Sequence, residues 1–102
     1  MDTYAVIFTS QRSDKDAAGY EKMAEAMEEY AKKQPGFLHM ESVRGPDGFG
    51  ITISYWHSLD AIKEWKQHTQ HQSAQKAGKE KWYSDYKVEI CKIEKEYSMQ
   101  KE

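Results

Sequence analysis

The chain has 102 residues, of which 38% are hydrophobic and 31% are charged, and its formal net charge is −2. This length is that of one domain, residues 1–102, with a core over about residues 4–97. The acidic balance argues against a nucleic-acid surface. No apolar run approaches the ~20 residues that cross a bilayer, and the first residues lack the pattern of a signal peptide. With Cys91 as the one cysteine, these features predict a cytoplasmic protein that binds neither nucleic acid nor membrane.

The first half of the chain predicts a strand followed by an amphipathic helix. Residues 4–8 form a continuous apolar run, which the next two residues extend, and such a run is typical of a strand covered on both faces. From about Tyr20 the apolar period becomes helical. The apolar helix face carries Tyr20, Met23, Met27, Tyr30 and Ala31. We interpret the two methionines as core filling rather than as cofactor ligands, and Pro35 and Gly36 as the end of the helix.

A β-hairpin and a second helix follow. Residues 37–44 and 51–56 have strand composition, and residues 45–48, Gly-Pro-Asp-Gly, predict the turn between them. Ser58 is a candidate N-cap for a helix whose inward edge includes Trp65. The polar stretch between residues 68 and 73 predicts a break, and a short helical piece then ends near residues 82–83.

The last strand is predicted over residues 86–97, and the order of elements is therefore β-α-β-β-α-β. This order predicts an α+β, ferredoxin-like fold: a four-stranded antiparallel sheet with helices on one face. The core of so small a chain is modest, and the other sheet face still needs a cover. We expect a homodimer in which two sheets face each other as a dimeric α/β barrel.

The candidate reactive residues give no complete motif for metal or nucleophilic chemistry. His68 and His71 lie three apart and could chelate a metal on one helix side, but no third ligand lies close to them in sequence. We expect a polar, exposed helix there. Cys91 lies in the middle of a strand, away from any helix N-terminus, and is expected to be a buried, unreactive thiol. The glycines of the hairpin do not match a phosphate-binding loop.

Three segments carry a resemblance to a known family. They are residues 34–38 (Gln-Pro-Gly-Phe-Leu), residues 53–58 (Ile-Ser-Tyr-Trp-His-Ser) and residues 61–65 (Ala-Ile-Lys-Glu-Trp), followed by His71. The chain resembles the antibiotic biosynthesis monooxygenase family of dimeric α/β-barrel proteins, which also includes haem-degrading monooxygenases. The resemblance implies a ferredoxin-like fold, a homodimer and a cavity between helices and sheet that takes a small hydrophobic or aromatic molecule.

The resemblance to the haem-degrading members is partial. Those members have a helical Trp, matched here by Trp65, and ten residues later a His that binds iron. Gln75 stands at that position in this chain, and His71 lies one turn earlier. Those members also have an Asn at the end of the first strand, where residues 9–11 read Thr-Ser-Gln. We therefore expect no cofactor, and keep haem binding as an alternative.

The cofactor-independent members of the family also use a Trp on this helix, and they oxidise a substrate that itself forms a carbanion and meets O₂. The resemblance thus implies Trp65, His68 and Tyr55 as catalytic residues. It implies substrate contacts from Tyr30, His71 and Gln75. Three hypotheses stay open: a metal- and flavin-free oxygenase of aromatic or quinol-like molecules, a haem-binding or haem-degrading protein, and a non-catalytic barrel that binds a small hydrophobic ligand.

Overall fold

The computed structural model describes residues 2–100, without the side chains of residues 69 and 70. The elements in chain order are β1 (Thr3–Arg12), α1 (Ala17–Lys32), β2 (Phe37–Arg44), β3 (Phe49–Trp56), α2 (Leu59–Gln67), α3 (Thr69–Ala77), a π-helical turn (Gly78–Trp82) and β4 (Tyr83–Ile93). The strands form one antiparallel sheet in the order β2-β3-β1-β4. The α+β, ferredoxin-like βαββαβ fold predicted from the sequence is confirmed.

The last strand begins earlier and ends earlier than the sequence predicted. β4 pairs with the whole of β1, and an irregularity between Gln11 and Arg12 allows the pairing to continue back to Tyr83. At the other end Ile93 pairs with Thr3, the first residue of β1. The prediction that this strand extends to residue 97 was wrong, because β1 offers no backbone partner beyond that point.

The starts of α1 and α2 each have a side-chain cap. The carboxylate of Asp16 accepts a hydrogen bond from the backbone N–H of Gly19 at 3.2 Å, so that α1 begins before the predicted Tyr20. The predicted cap of α2 is confirmed, since Ser58 Oγ accepts from the N–H of Ala61 at 3.0 Å. The helical chain breaks at His68, whose ψ of 131° is extended, as the polar sequence there predicted.

One sheet face carries the core. Trp56 is fully buried beside Ala61 and Ile62, and partly buried side chains pack against this cluster: Tyr4, Val6, Phe37 and Trp65. Phe37 reaches Trp56 because the β2–β3 register shifts between Phe37 and His39. Its ring meets Trp56 edge-on at a centroid distance of 5.4 Å. Phe37 therefore lies on the helix side of the sheet.

The opposite sheet face is apolar in its centre. Ile7 pairs with Ile53 between β1 and β3, and Thr9 pairs with Ile51. On the edge strand β4, Cys91 pairs with Ala5 and is exposed. The prediction of a buried thiol was wrong for the single chain, because an edge strand has a neighbour on one side only and no helix within residues 2–100 covers this face.

Candidate active site

Three aromatic rings from three elements stack in sequence. Trp56, the last residue of β3, lies nearly parallel to Trp65 of α2, with a centroid distance of 6.3 Å and an interplanar angle of 26°. Trp65 in turn stacks on His71 of α3 at 4.5 Å and 10°. The buried end of this stack belongs to the core, and its other end is an ionisable imidazole. The arrangement joins the core to a group that can exchange a proton.

The break between α2 and α3 brings His71 onto Trp65. The last carbonyls of a helix have no partner within it. The carbonyl of Trp65 accepts from the N–H of His68 at 3.0 Å, and lies 3.1 Å from Nδ1 of His71. A carbonyl oxygen only accepts, so Nδ1 of His71 carries the hydrogen in this contact. In the neutral imidazole Nε2 then has the free lone pair.

The environment of His71 favours its neutral form. Burial lowers the pKa of His71 below its ordinary value of 6.5, since a positive charge is costly away from water. The hydrogen bond to Trp65 raises this pKa, and electrostatic repulsion from His68 and Lys66 lowers it further. Because the net shift is downward, His71 is a neutral imidazole at pH 7. It can accept a proton through Nε2.

Tyr30 and His68 lie beside the same stack. The ring of His68 is 5.6 Å from that of Trp65 and 5.8 Å from that of Tyr30, each measured between centroids. All these side chains are half-buried. The structure therefore brings together four of the six candidate site residues. They are Tyr30 of α1, Trp65 of α2, His68 at the break between α2 and α3, and His71 of α3.

The other two candidate site residues are Tyr55 of β3 and Gln75 of α3. Tyr55 precedes Trp56 in β3, so the two side chains leave the sheet on opposite faces. Its ring stacks on His39 at 6.0 Å, on the face without helices. The expectation that Tyr55 shares a site with Trp65 is not met, because strand alternation separates them. Gln75 follows His71 by four residues in α3 and is half-buried.

A cleft of about 280 Å³ opens between α1 and α3. Its lining residues are Met23, Ala26, Met27, Tyr30, Ser73, Ala74 and Trp82. Tyr30 is shared between the cleft and the group around Trp65. The methionines are half-buried and line this cleft, so their interpretation as core filling was incomplete. Sequence reasoning missed Trp82, whose late position in the chain gave no sign that it faces α1.

A larger depression of about 460 Å³ lies on the opposite sheet face. It includes Tyr55, and His39, whose Nε2 is 3.2 Å from Oε1 of Glu41. Exposed polar groups form much of it, and its imidazole, that of His39, has a side chain that is 61% exposed, whereas His71 is half-buried. The cleft on the helix side is thus the better candidate for binding an aromatic molecule.

Metal-ligating side chains do not cluster in residues 2–100. No group of three or more His, Cys, Asp or Glu side chains is placed to hold a metal ion there. None of the helices in this part of the chain has the length and apolar character that a membrane crossing requires.

The chain is similar to known proteins in both sequence and structure. It is 50% identical over 93 residues to "Uncharacterized protein YqjZ" of Bacillus subtilis (strain 168), covering 91% of this chain and 81% of that protein. Among solved structures, Rv0793 of Mycobacterium tuberculosis superposes with a TM-score of 0.82 at 14% identity, over 94% of this chain and 99% of that one. SnoaB of Streptomyces nogalater, described as a cofactor-independent oxygenase, superposes in a mutant form with a TM-score of 0.80 at 14% identity, over 94% and 97% of the chains.

These structural likenesses establish the fold. The sequence profile described as "Antibiotic biosynthesis monooxygenase" matches residues 3–77, which span β1 to the end of α3. The match includes Trp65 and His71 and their surroundings. The chain belongs to the antibiotic biosynthesis monooxygenase family.

Proposed function

We propose that the protein is a monooxygenase that oxidises an electron-rich aromatic molecule, such as a hydroquinone or an anthrone, with O₂ and without a metal or flavin. The observation that carries this proposal is the neutral His71, which is fixed by the carbonyl of Trp65 and stacked on its ring. Such chemistry asks the protein to bind a flat substrate and to remove one proton. SnoaB, of the same fold, is described as a cofactor-independent oxygenase, which supports the reaction class.

The substrate binds in the cleft between α1 and α3 and extends past Tyr30 toward His68 and Trp65. The cleft walls are methionine and aromatic side chains, which suit a planar apolar molecule. Tyr30 and His68 contribute hydrogen-bonding groups to the substrate hydroxyls. Gln75, on the same helix as His71, is a further polar contact in this proposal.

In the first step Nε2 of His71 takes a proton from the substrate and leaves a carbanion. The carbanion passes one electron to O₂, and the two radicals combine as a peroxide on carbon. His71 returns its proton to the peroxide, and the second hydrogen of the same carbon then leaves as a proton while the O–O bond breaks. The carbon becomes a carbonyl, and the distal oxygen leaves as hydroxide, which takes up that second proton to form water. An anthrone methylene thereby loses two hydrogens and gains one oxygen, so that one O₂ yields one carbonyl and one water.

The haem alternative has less support in these residues. A glutamine side chain is not a usual iron ligand, and it is Gln75 that stands where the haem-degrading members have their His. His71 already uses Nδ1 in its contact with Trp65, and its ring face is covered by the indole. Only Nε2 is left to bind an iron, and this is the nitrogen that the proposed reaction uses.

Oxygen uptake with 1,8-dihydroxyanthrone as substrate tests the proposal. We expect uptake above the rate without protein, and a fall of about 10²–10⁴-fold in His71→Asn, the range for loss of a general base. Asparagine keeps a donor for the Trp65 carbonyl and removes Nε2. The matched control is His57→Asn, an exposed histidine outside the group, which should change the rate less than about twofold. Equal rates in His71→Asn and the control would refute the role of His71.

We also propose a homodimer that covers the helix-free sheet face. The support is the apolar centre of that face, with Ile7, Ile51 and Ile53, and the exposed Val43 and Phe49 at its margin. Contiguous apolar surface of this kind is typical of an interface rather than of a monomer surface. A two-fold pairing would use the same face of both copies.

A further inference from the structure

The two arginines of the chain meet on one tyrosine. Arg12 in β1 and Arg44 in β2 lie far apart in sequence, with the whole of α1 between them. The Cζ atom of Arg12 lies 4.0 Å from the ring centroid of Tyr20, and that of Arg44 lies 5.5 Å from it. All three side chains are half-buried. Two positive charges thus share one small region at the start of α1.

Arg44 is held rigidly in this cluster. Its Nη2 donates to Ser10 Oγ at 2.8 Å and to Tyr20 Oη at 3.1 Å, and its Nη1 donates to the carbonyls of Ser10 and Gly48. Ser10 is 1% exposed. A Cβ atom at Gly50 would lie 2.6 Å from Cζ of Arg44, so the guanidinium packs directly over the glycine backbone.

Arg12 is less fully engaged. Its Nη1 donates to the carbonyl of Trp82 at 2.6 Å, and its remaining guanidinium nitrogens make no hydrogen bond to the part of the chain that the structure describes. Arginine presents its donors in a planar fork that matches a carboxylate or phosphate. The guanidinium of Arg12 therefore has further N–H donors that can bind an anion, next to the positive charge of Arg44.

No acidic group in the described part of the chain balances these charges. Neither arginine forms an ion pair with a carboxylate among residues 2–100. The neighbouring phenol does not replace one, because burial, followed by the effect of Tyr20, raises the pKa of Tyr83 above its usual value of 10.0. Charges that are partly withdrawn from water are ordinarily paired. A carboxylate or phosphate partner for these arginines would therefore have to come from outside the described residues.

The cluster borders the cleft proposed above. Trp82 lines the cleft, and its ring meets Tyr20 edge-on at 6.1 Å. Trp82 also supplies the carbonyl that orients Arg12. Arg12 is not among the residues that line the cleft, so a ligand there would reach it with a charged end that extends past Trp82.

We propose that Arg12, supported by Arg44, binds an anionic group of the ligand, so that the ligand class is an aromatic molecule with a carboxylate. The aromatic part of this ligand class rests on the proposed function, whereas the preference for an anion can be tested independently of that function. Binding of 2-naphthoate and of its neutral amide, 2-naphthamide, is measured at equilibrium by NMR titration, without turnover. The amide reports on the cleft, and the ratio of the two affinities reports on the arginines.

For the unaltered protein we expect the carboxylate to bind at least about tenfold more tightly than the amide. Arg12→Gln should abolish this preference and leave amide binding unchanged, and Arg12→Lys should keep part of it. Lys15→Gln is the control, because it removes the same charge from an exposed side chain nearby. Equal binding of both ligands to the unaltered protein, a preference that survives Arg12→Gln, or one that Lys15→Gln reduces equally would each overturn the anion site. Absence of binding by either ligand would overturn the cleft as well.

Discussion

Nδ1 of His71 lies 3.1 Å from the carbonyl oxygen of Trp65, and the rings of the two residues are 10° from parallel. Backbone and side chain of Trp65 thus constrain the imidazole in two ways. The carbonyl selects the tautomer with the hydrogen on Nδ1, and the indole covers one ring face.

The stability of the protein should fall as the pH is lowered below about 6.5, in part through His71. Its pKa is lower in the folded than in the unfolded chain, so the unfolded chain binds more protons in this range. The contribution of His71 to the free energy of unfolding is therefore fully present above pH 6.5, the pKa of an unfolded-chain histidine. It is lost as the pH falls toward the lower pKa of His71 in the folded chain.

Urea unfolding of the unaltered protein and of His71→Asn at several pH values measures this contribution. The variant should lose less stability on acidification, because asparagine does not titrate. Control titrations use His57→Asn, which should follow the unaltered protein. Parallel curves for the unaltered protein and His71→Asn would contradict the assignment.

Trp65→Phe should affect function more than stability. Phenylalanine keeps most of the packing against Trp56 and His71, so we expect a loss of about 1 kcal/mol in the free energy of unfolding. It removes the indole N–H, and loss of a donor aimed at a developing oxyanion can lower a rate by about 10²–10³-fold. Urea unfolding and oxygen uptake on one preparation compare the two effects. Intact activity with lowered stability would make Trp65 a packing residue only.

Ile53→Lys should convert the proposed dimer to a monomer. Ile53 pairs with both Ile7 and Glu41, in the middle of the helix-free face, and a charge buried there would have no partner. Sedimentation at micromolar concentration measures the mass. Leu59→Lys is the matched control, since Leu59 is 53% exposed at the start of α2. A folded monomer of the unaltered protein would refute the dimer.

Cys91 gives a second readout of the same proposal. Its thiol is exposed in the single chain and lies on the face that the second copy would cover. A thiol reagent should therefore label Ile53→Lys faster than the unaltered protein. Equal labelling rates would place the interface away from β4.

Gly36→Ala should destabilise the fold by at least about 2 kcal/mol, since alanine is strained at positive φ and overpacking adds to the cost. The φ angle of Gly36 is 84°, and a Cβ atom there would lie 2.6 Å from Cβ of Ala61. Urea unfolding measures the change. Gly45→Ala, at a glycine without positive φ, is the control and should cost much less. Similar losses in both variants would show that the Gly36 turn can relax.

Haem should bind weakly, if at all, and without a defined stoichiometry. The reason is Gln75 at the position of the iron ligand, together with the contact that fixes His71. Absorbance titration with haemin measures this. A sharp Soret band at one haem per chain that disappears in His71→Ala would show instead that His71 binds iron.

The order of elements followed from local sequence. A change in apolar period from two to 3.6 residues, Ser58 at a helix start and the Gly-Pro-Asp-Gly turn each act within a few neighbouring residues, so they predicted the βαββαβ fold. The polar stretch between residues 68 and 73 likewise predicted the break that the structure has at His68. The same locality placed Trp65 on the inward edge of α2. These local signals do not depend on which residues pack against the sheet.

Tertiary structure alone decided which side chains meet. Tyr55 left the candidate site because strand alternation sends it to the face opposite Trp56, and Phe37 joined the core because a register shift turned it inward. Arg12 and Arg44 share Tyr20 only because β1 and β2 flank β3 in the sheet. Strand register and the angle between helices depend on packing across the whole domain, which no short stretch of sequence specifies.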